Sequence, residues 1–149
     1  MIIKKLKLHN FGVYAGENEF IFEGKKPIVL IGGMNGRGKT TFLEAVLLSL
    51  YGPNSFAYLE SGEKSYLQYL RSFVNRGSED QICSVELEFE INNGIKENYI
   101  VKREWDAAGK RTKEQISVIK DGSYNEFLTN NWPMFVENIL PSALSSFFF

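Results

Sequence analysis

The chain has 149 residues, 44% of them hydrophobic and 14% aromatic, which fits one folded domain and excludes a disordered polar segment. A net charge of −1 excludes a globally basic nucleic-acid binder, although local basic patches survive such averaging. The single cysteine, Cys83, excludes an internal disulfide and fits a reducing cytoplasm; no apolar run approaches a membrane span, so no membrane partner is expected.

Residues 2–8 alternate, with Leu6 and Leu8 against Lys5 and Lys7, and predict a strand that Asn10-Phe11-Gly12 breaks. His9 has no histidine or cysteine at ligand spacing and reads as structural or solvated. Residues 19–22 predict a second strand with Phe20 and Phe22 on one face. Glu23-Gly24-Lys25-Lys26 then turns the chain into a buried, β-branched run from Pro27 to Ile31. Gly33-x-x-x-x-Gly38-Lys39-Thr40 follows it. Leu43, Val46, Leu47 and Leu50 then recur at helical spacing to about Tyr51, where Gly52-Pro53 supplies a stop.

Strand, glycine loop and helix together form a phosphate-binding P-loop. Gly33, Gly36 and Gly38 supply positions where no Cβ intervenes, so successive backbone N–H groups can wrap a polyphosphate. The loop delivers that anion to a helix N-terminus, whose unpaired N–H groups and dipole favour negative charge. Lys39 adds a full positive charge toward the β- and γ-phosphates. The Thr40 hydroxyl is placed to ligate Mg²⁺.

Residues 54–64 are polar and turn-rich and read as a surface excursion. Tyr66, Tyr69, Leu70 and Phe73 predict a short amphipathic helix over about 64–74, its aromatic stripe serving core packing, with base stacking as the alternative. Val85, Leu87, Phe89 and Ile91 alternate with Glu86, Glu88 and Glu90, a strand with one buried and one wet face. Asn93-Gly94 is a hairpin turn, residues 98–105 a returning strand, residues 107–111 a turn, residues 115–120 a third strand and Asp121-Gly122 another turn. The result is an antiparallel meander joined to the P-loop unit. The three glutamates read as a solvated face. Lys102, Arg103, Lys110, Arg111 and Lys113 read as solubilising surface, with phosphate-backbone contact as the alternative. A final helix centres on Phe135, Val136, Ile139 and Leu140, with Pro133 in its first turn and Pro141 ending it. Phe147-Phe148-Phe149 reads as the start of a buried strand that continues further, so the chain is expected to be an N-terminal fragment. The expected organisation is one lobe over 1–149: a P-loop unit over about 1–52, a helical excursion over about 54–77, the meander over about 83–122 and a truncated helical segment over about 124–149.

Hydrolysis of this type also requires a carboxylate after a hydrophobic strand, and no such run follows Thr41. A Ser/Gly-rich signature for a partner's nucleotide and a heptad region are absent from the sequence too. On its own the chain is predicted to grip nucleotide with weak turnover or none.

Taken in order, Leu6-x-Leu8-x-Asn10-Phe11, Phe20-x-Phe22, Gly33-x-Asn35-Gly36-x-Gly38-Lys39-Thr40-Thr41, Leu70-x-x-Phe73-Val74-x-x-Gly77 and Val85-x-Leu87-x-Phe89 resemble a known arrangement. It is that of the N-terminal half-head of SMC-like and double-strand-break-repair ATPases, whose heads are ABC-type. Asn10-Phe11-Gly12-Val13-Tyr14, the run Gly32 to Thr41, and Leu140-Pro141-x-x-Leu144-Ser145-Ser146-Phe147-Phe148-Phe149 are similar, within that group, to the DndD family of DNA sulfur modification ATPases.

That resemblance implies an α/β P-loop NTPase: the N-terminal lobe of an ABC-type head carrying an antiparallel β meander. It implies ATP and Mg²⁺ as cofactors. Asn35, Gly36, Arg37, Gly38, Lys39, Thr40 and Thr41 join Gly33 as the ATP-binding residues; Lys39 is the catalytic contact to the terminal phosphates and Thr40 the Mg²⁺ ligand. It further implies double-stranded DNA, a second copy of the head and other DNA sulfur modification proteins as partners, with ATP binding closing the dimer and remodelling DNA contacts. Relatives often carry a basic residue after the Phe11 position, where this chain has Gly12. The competing readings are a repair ATPase of the same superfamily, a non-catalytic module in which nucleotide glues subunits together, and a P-loop kinase or GTPase. The meander and the lack of an Asn-Lys-x-Asp motif argue against a GTPase.

Overall fold

Apolar residues at every second position dictate the architecture. The computed structural model describes residues 1–22, 37–75, 77, 80–108 and 113–141, with backbone alone for residues 37–40. The predicted turn at 23–26, the strand over 27–31, the loop residues before Arg37 and the terminal phenylalanines lie outside the described residues. In chain order the elements are β1 (Ile2–Phe11), β2 (Tyr14–Ile21), α1 (Arg37–Tyr51), a 3-10 turn (Gly52–Asn54), α2 (Phe56–Leu59) and α3 (Tyr66–Ser72). There follow β3 (Ile82–Asn92), β4 (Lys96–Asp106), β5 (Glu114–Lys120), β6 (Ser123–Tyr124), α4 (Glu126–Asn130) and α5 (Trp132–Ile139).

The described strands form one six-stranded sheet in the order β2-β1-β3-β4-β5-β6, every neighbouring pair antiparallel. Register explains why the pieces join. Phe20 lies across from Leu6, Leu6 from Leu87, Leu87 from Val101 and Val101 from Val118, so one apolar row crosses five strands. The next row is Glu19, Lys7, Glu86, Lys102 and Ser117 on the opposite face. A slip of one residue would exchange these rows and bury the charges, which fixes the pairing. Leu6, Leu8, Val85, Leu87, Phe89, Val101 and Val118 are buried, and α1 packs on β3 and β4.

Several elements depart from the predicted bounds. β1 does not break at Asn10: the chain absorbs an irregularity there, with Asn10 at φ 51° and the register shifting between His9 and Phe11, and pairing resumes. β2 starts five residues earlier than its apolar pair suggests, because pairing to β1 carries the polar stretch Tyr14–Asn18. The polar excursion contains the short helix α2, capped by Ser55, whose side chain accepts from the Tyr58 N–H and is fully buried. Ser65 caps α3 in the same way through Gln68 N–H. The aromatic stripe of α3 is core: Tyr69, Leu70 and Phe73 are buried.

Candidate functional site

The candidate site is the N-terminal end of α1. Gly33, Asn35 and Gly36 lie outside the described residues, whereas Arg37, Gly38, Lys39 and Thr40 form the first turn of the helix. That turn contains no acidic residue, so nothing opposes the positive end of the dipole, and it fits a phosphate. Thr41 is the first of the candidate residues with a described side chain, and it is half-buried.

Gly12 explains its position. The β1–β2 turn places Gly12 at φ +61°, and a Cβ there would stand 2.8 Å from Thr41 Cγ2. The turn therefore rests directly on the helix at the end of the P-loop, and a larger residue does not fit. A second strap holds the turn from outside: Gly12 N–H donates to the Phe73 carbonyl at 2.5 Å, Asn75 N–H to the Asn10 carbonyl at 2.8 Å, and Asn75 Nδ2 to the Gly12 carbonyl at 2.8 Å. Asn10 is buried at the centre of this junction. Its Nδ2 donates to Asp80 Oδ1 at 2.8 Å and to the Ile82 carbonyl at 3.0 Å, and its Oδ1 accepts from Gly16 N–H at 2.8 Å. His9 stands 3.1 Å from Asn10 Nδ2 and belongs to the same structural junction. Phe11 stacks on Phe73 with ring centroids 4.4 Å apart, and Phe42 of α1 meets Phe20 and Phe22 edge-on at 5.8 and 5.5 Å. The turn, the strap and the rings thus fix where the helix begins.

The other end of α1 is held by side chains from distant elements. The last carbonyls of a helix have no partner within it. Arg103 Nε donates to the Ser49 carbonyl at 3.1 Å, and Trp132 Nε1 donates to the Leu50 carbonyl at 3.0 Å. A cation at this end also suits the dipole. Arg103 is 3% exposed and pairs with Glu114 at 2.7 Å; Glu114 in turn accepts from the Tyr66 hydroxyl. Burial, reinforced by the Glu114 carboxylate, pushes the Tyr66 phenol far above its ordinary range and keeps it a donor. Gly52 at φ +53° lets the guanidinium lie against the backbone, since a Cβ there would come within 2.7 Å of Arg103 Nη1.

One surface reading is thereby revised. The basic stretch is not one patch: Arg103 points inward, Lys102 pairs with Glu104 at 3.5 Å on the opposite face, and Lys110 and Arg111 lie outside the described residues. Glu86, Glu88 and Glu90 face Lys7, Lys5 and Lys4 of β1 at 3.9 to 4.0 Å, so the acidic strand sits beside a basic one. Cys83 is fully buried, and burial pushes its thiol well up. Among the described residues no group of three or more His, Cys, Asp and Glu side chains could hold a metal.

Sequence reasoning missed Gly12, Asn10, Asn75 and Arg103. Only Arg103 had left a clear signal: Tyr99, Val101, Arg103 and Trp105 share the inward period of β4, so a charge at that position had to be satisfied inside.

Residues 5–147 match the family model described as AAA domain. The chain is 30% identical over 152 aligned positions to a DNA double-strand break repair Rad50 ATPase of Methanocaldococcus jannaschii, covering 93% of this chain and 13% of that protein. It is 44% identical over 69 positions to the protein of the same name in Nanoarchaeum equitans, covering 44% of this chain and 8% of that one. Against one component of the nuclease SbcCD of Vibrio cholerae it is 26% identical over 134 positions, covering 85% of this chain and 12% of that one. The chain thus spans only a small part of the length of these relatives.

Proposed function

The chain belongs to the AAA domain family, with the α/β architecture of a P-loop NTPase N-terminal lobe, and we propose that it is the ATP-gripping lobe of a DNA-processing ATPase of the SMC-like, break-repair kind. The observation that carries this reading is the motif Gly33 to Thr41 leading into α1, whose first turn is free of acid and against which Gly12 packs closely at Thr41. Gly33, Asn35, Gly36, Arg37 and Gly38 would present backbone donors to the phosphates, Lys39 would meet the terminal ones, and Thr40 and Thr41 would stand at the helix start. Thr40 would hold Mg²⁺, which would supply neutralisation of phosphate charge. The chain's own contribution is to orient and hold the nucleotide. Hydrolysis would be completed by segments beyond it and by a second copy of the head facing the same ATP, with double-stranded DNA as the substrate that closure acts on.

Calorimetric titration of the full-length protein with ATP tests this. A hydrogen bond to a charged group contributes about 1.5–3 kcal/mol, so Lys39→Ala should weaken ATP binding by roughly ten- to a hundred-fold and abolish Mg²⁺-dependent turnover. The isolated lobe should bind ATP with little turnover. Unchanged affinity in Lys39→Ala would overturn the reading. Binding that depends on Lys39, with no hydrolysis in the intact protein, would favour the non-catalytic glue instead.

The finer setting we propose is DNA phosphorothioate modification, together with other DNA sulfur modification proteins. It rests on the DndD-like run Asn10 to Tyr14 and the Leu140-Pro141 ending; the relatives named above are described as break-repair and nuclease proteins and do not carry it. Deleting the gene in the source organism should remove phosphorothioate linkages from digested DNA measured by mass spectrometry. Sensitivity to double-strand breaks with the linkages retained would assign the protein to repair.

A further inference from the structure

Between α1 and the segment that carries α2 and α3 lies an open groove of about 450 Å³, within the size range of small-ligand sites. Among the described residues its charge is one-sided. Glu44 enters from α1, and Glu60 and Glu63 stand exposed on the rim. Among the described residues none of the three has an ion-pair partner, whereas Glu19, Glu86, Glu88, Glu90 and Glu114 each face a lysine or arginine. Glu44 is half-buried, and that burial raises its carboxyl pKa.

Tyr69 lines the groove beside Glu44. It is 3% exposed, and its hydroxyl is buried without a hydrogen-bond partner among the described residues. Burial, with the Glu44 carboxylate adding to it, pushes the phenol up, so its oxygen stays a neutral acceptor and donor. A buried hydroxyl left unpaired is unfavourable, and one in a cleft of unbalanced carboxylates marks a position that a ligand donor would satisfy. The walls are mixed: Ala57 and the Phe73 ring are buried apolar surface, next to the carboxylates.

We propose that this groove is a socket for an arginine side chain presented by a polypeptide partner. The chemistry selects that cation over others. A guanidinium spreads five N–H donors over a plane, so it can serve Glu44 and the Tyr69 oxygen together, and it sheds water more readily than an ammonium. Its methylene stem suits the Ala57 and Phe73 walls. A bare metal ion is a poorer match, since no three ligating side chains converge among the described residues. The proposal does not depend on nucleotide binding, although Glu44 shares α1 with the P-loop end.

Carbodiimide labelling of carboxylates in the full-length protein, read by mass spectrometry, tests the socket. An acetylated tetra-arginine amide should lower Glu44 labelling several-fold, and a tetra-glutamine amide should leave it unchanged. The paired variant Glu60→Gln with Glu63→Gln, altered only at exposed positions, should lose that protection, and Tyr69→Phe should weaken it while keeping the fold. Glu44 labelling indifferent to the arginine peptide would overturn the proposal. Equal protection by the glutamine peptide, or by spermidine, would overturn it too, by reducing the effect to occlusion or diffuse counterion binding. ATP binding measured on the same samples separates a failure of the socket from a failure of the nucleotide reading.

Discussion

Gly12 shows how one residue can decide the geometry of a site it does not join. Its φ of +61° excludes most side chains, and the 2.8 Å approach of a Cβ to Thr41 excludes the rest unless the helix moves. Gly12→Ala should therefore cost about 1–3 kcal/mol of stability, read as a lower urea midpoint. It should also weaken ATP binding, because the added methyl group displaces the turn against the P-loop end of α1. A basic residue at this position would need a different turn. Glu44 gives a pH signature of its own. Its pKa is raised in the fold by burial, so folding favours its protonated form; that contribution is full below the unfolded carboxylate range and lost as pH rises through the folded pKa. Glu44→Gln should accordingly be more stable than the parent at neutral pH, with the difference vanishing as pH falls through the carboxylate range. Urea midpoints at neutral and acidic pH check both halves of that statement.

Among the elements, α1 is held at both ends by residues far away in sequence. The β1–β2 turn bears on its start, and Arg103 of β4 and Trp132 of α5 satisfy carbonyls at its finish. Arg103→Ala would leave the half-buried Glu114 carboxylate without its partner and free the Ser49 carbonyl, a loss toward the lower end of the about 3–5 kcal/mol of a broken buried pair. Arg103→Lys should recover only part of it, because one ammonium cannot serve the Ser49 carbonyl and Glu114 with the same fork geometry. Unfolding midpoints of the two variants would show the ordering. A result with Lys equal to Arg would mean that charge alone, not the planar fork, holds the helix end. Trp105 does a similar task for α3, donating to the Leu70 carbonyl at 2.9 Å.

For the molecule as a whole, the sheet has one face for packing and one for water. The wet face alternates by strand: Glu17 and Glu19 on β2, Lys5 and Lys7 on β1, Glu86 and Glu88 on β3, Lys102 with Glu104 on β4. With five glutamates to three lysines, these described residues leave no excess of cations for phosphates. Lys5→Gln combined with Lys7→Gln should therefore leave DNA affinity of the full-length protein, and its salt dependence, unchanged. A fall in the slope of affinity against salt would place DNA on this face after all, since removing one cation from a phosphate lowers that slope by about 0.9.

The legible part of this protein was local. Alternation marked Leu6 and Leu8, and Val85 to Ile91, because a strand's side chains point to opposite faces whatever lies beyond. The helix after the P-loop, its stop at Gly52-Pro53 and the turn at Asp121-Gly122, where φ is positive at both residues, follow from short-range sterics and were readable for the same reason. The spacing of glycines, lysine and threonine in the P-loop motif was likewise readable, and the phosphate grip proposed for it rests on that spacing. Illegible were the junctions: that β1 lies between β2 and β3, that Asn10 bends without ending its strand, that Asn75 ties down the β1–β2 turn, and that Arg103 belongs to a helix end and not to the surface. The sequence alone indicated most of the strands and the long helix and carried the spacing of the motif proposed to grip phosphate, because those properties depend on neighbours within a few residues. Only the tertiary structure decided how the segments meet, because partners such as Arg103 and Ser49, 54 residues apart, are selected by the joint packing of the whole sheet against α1.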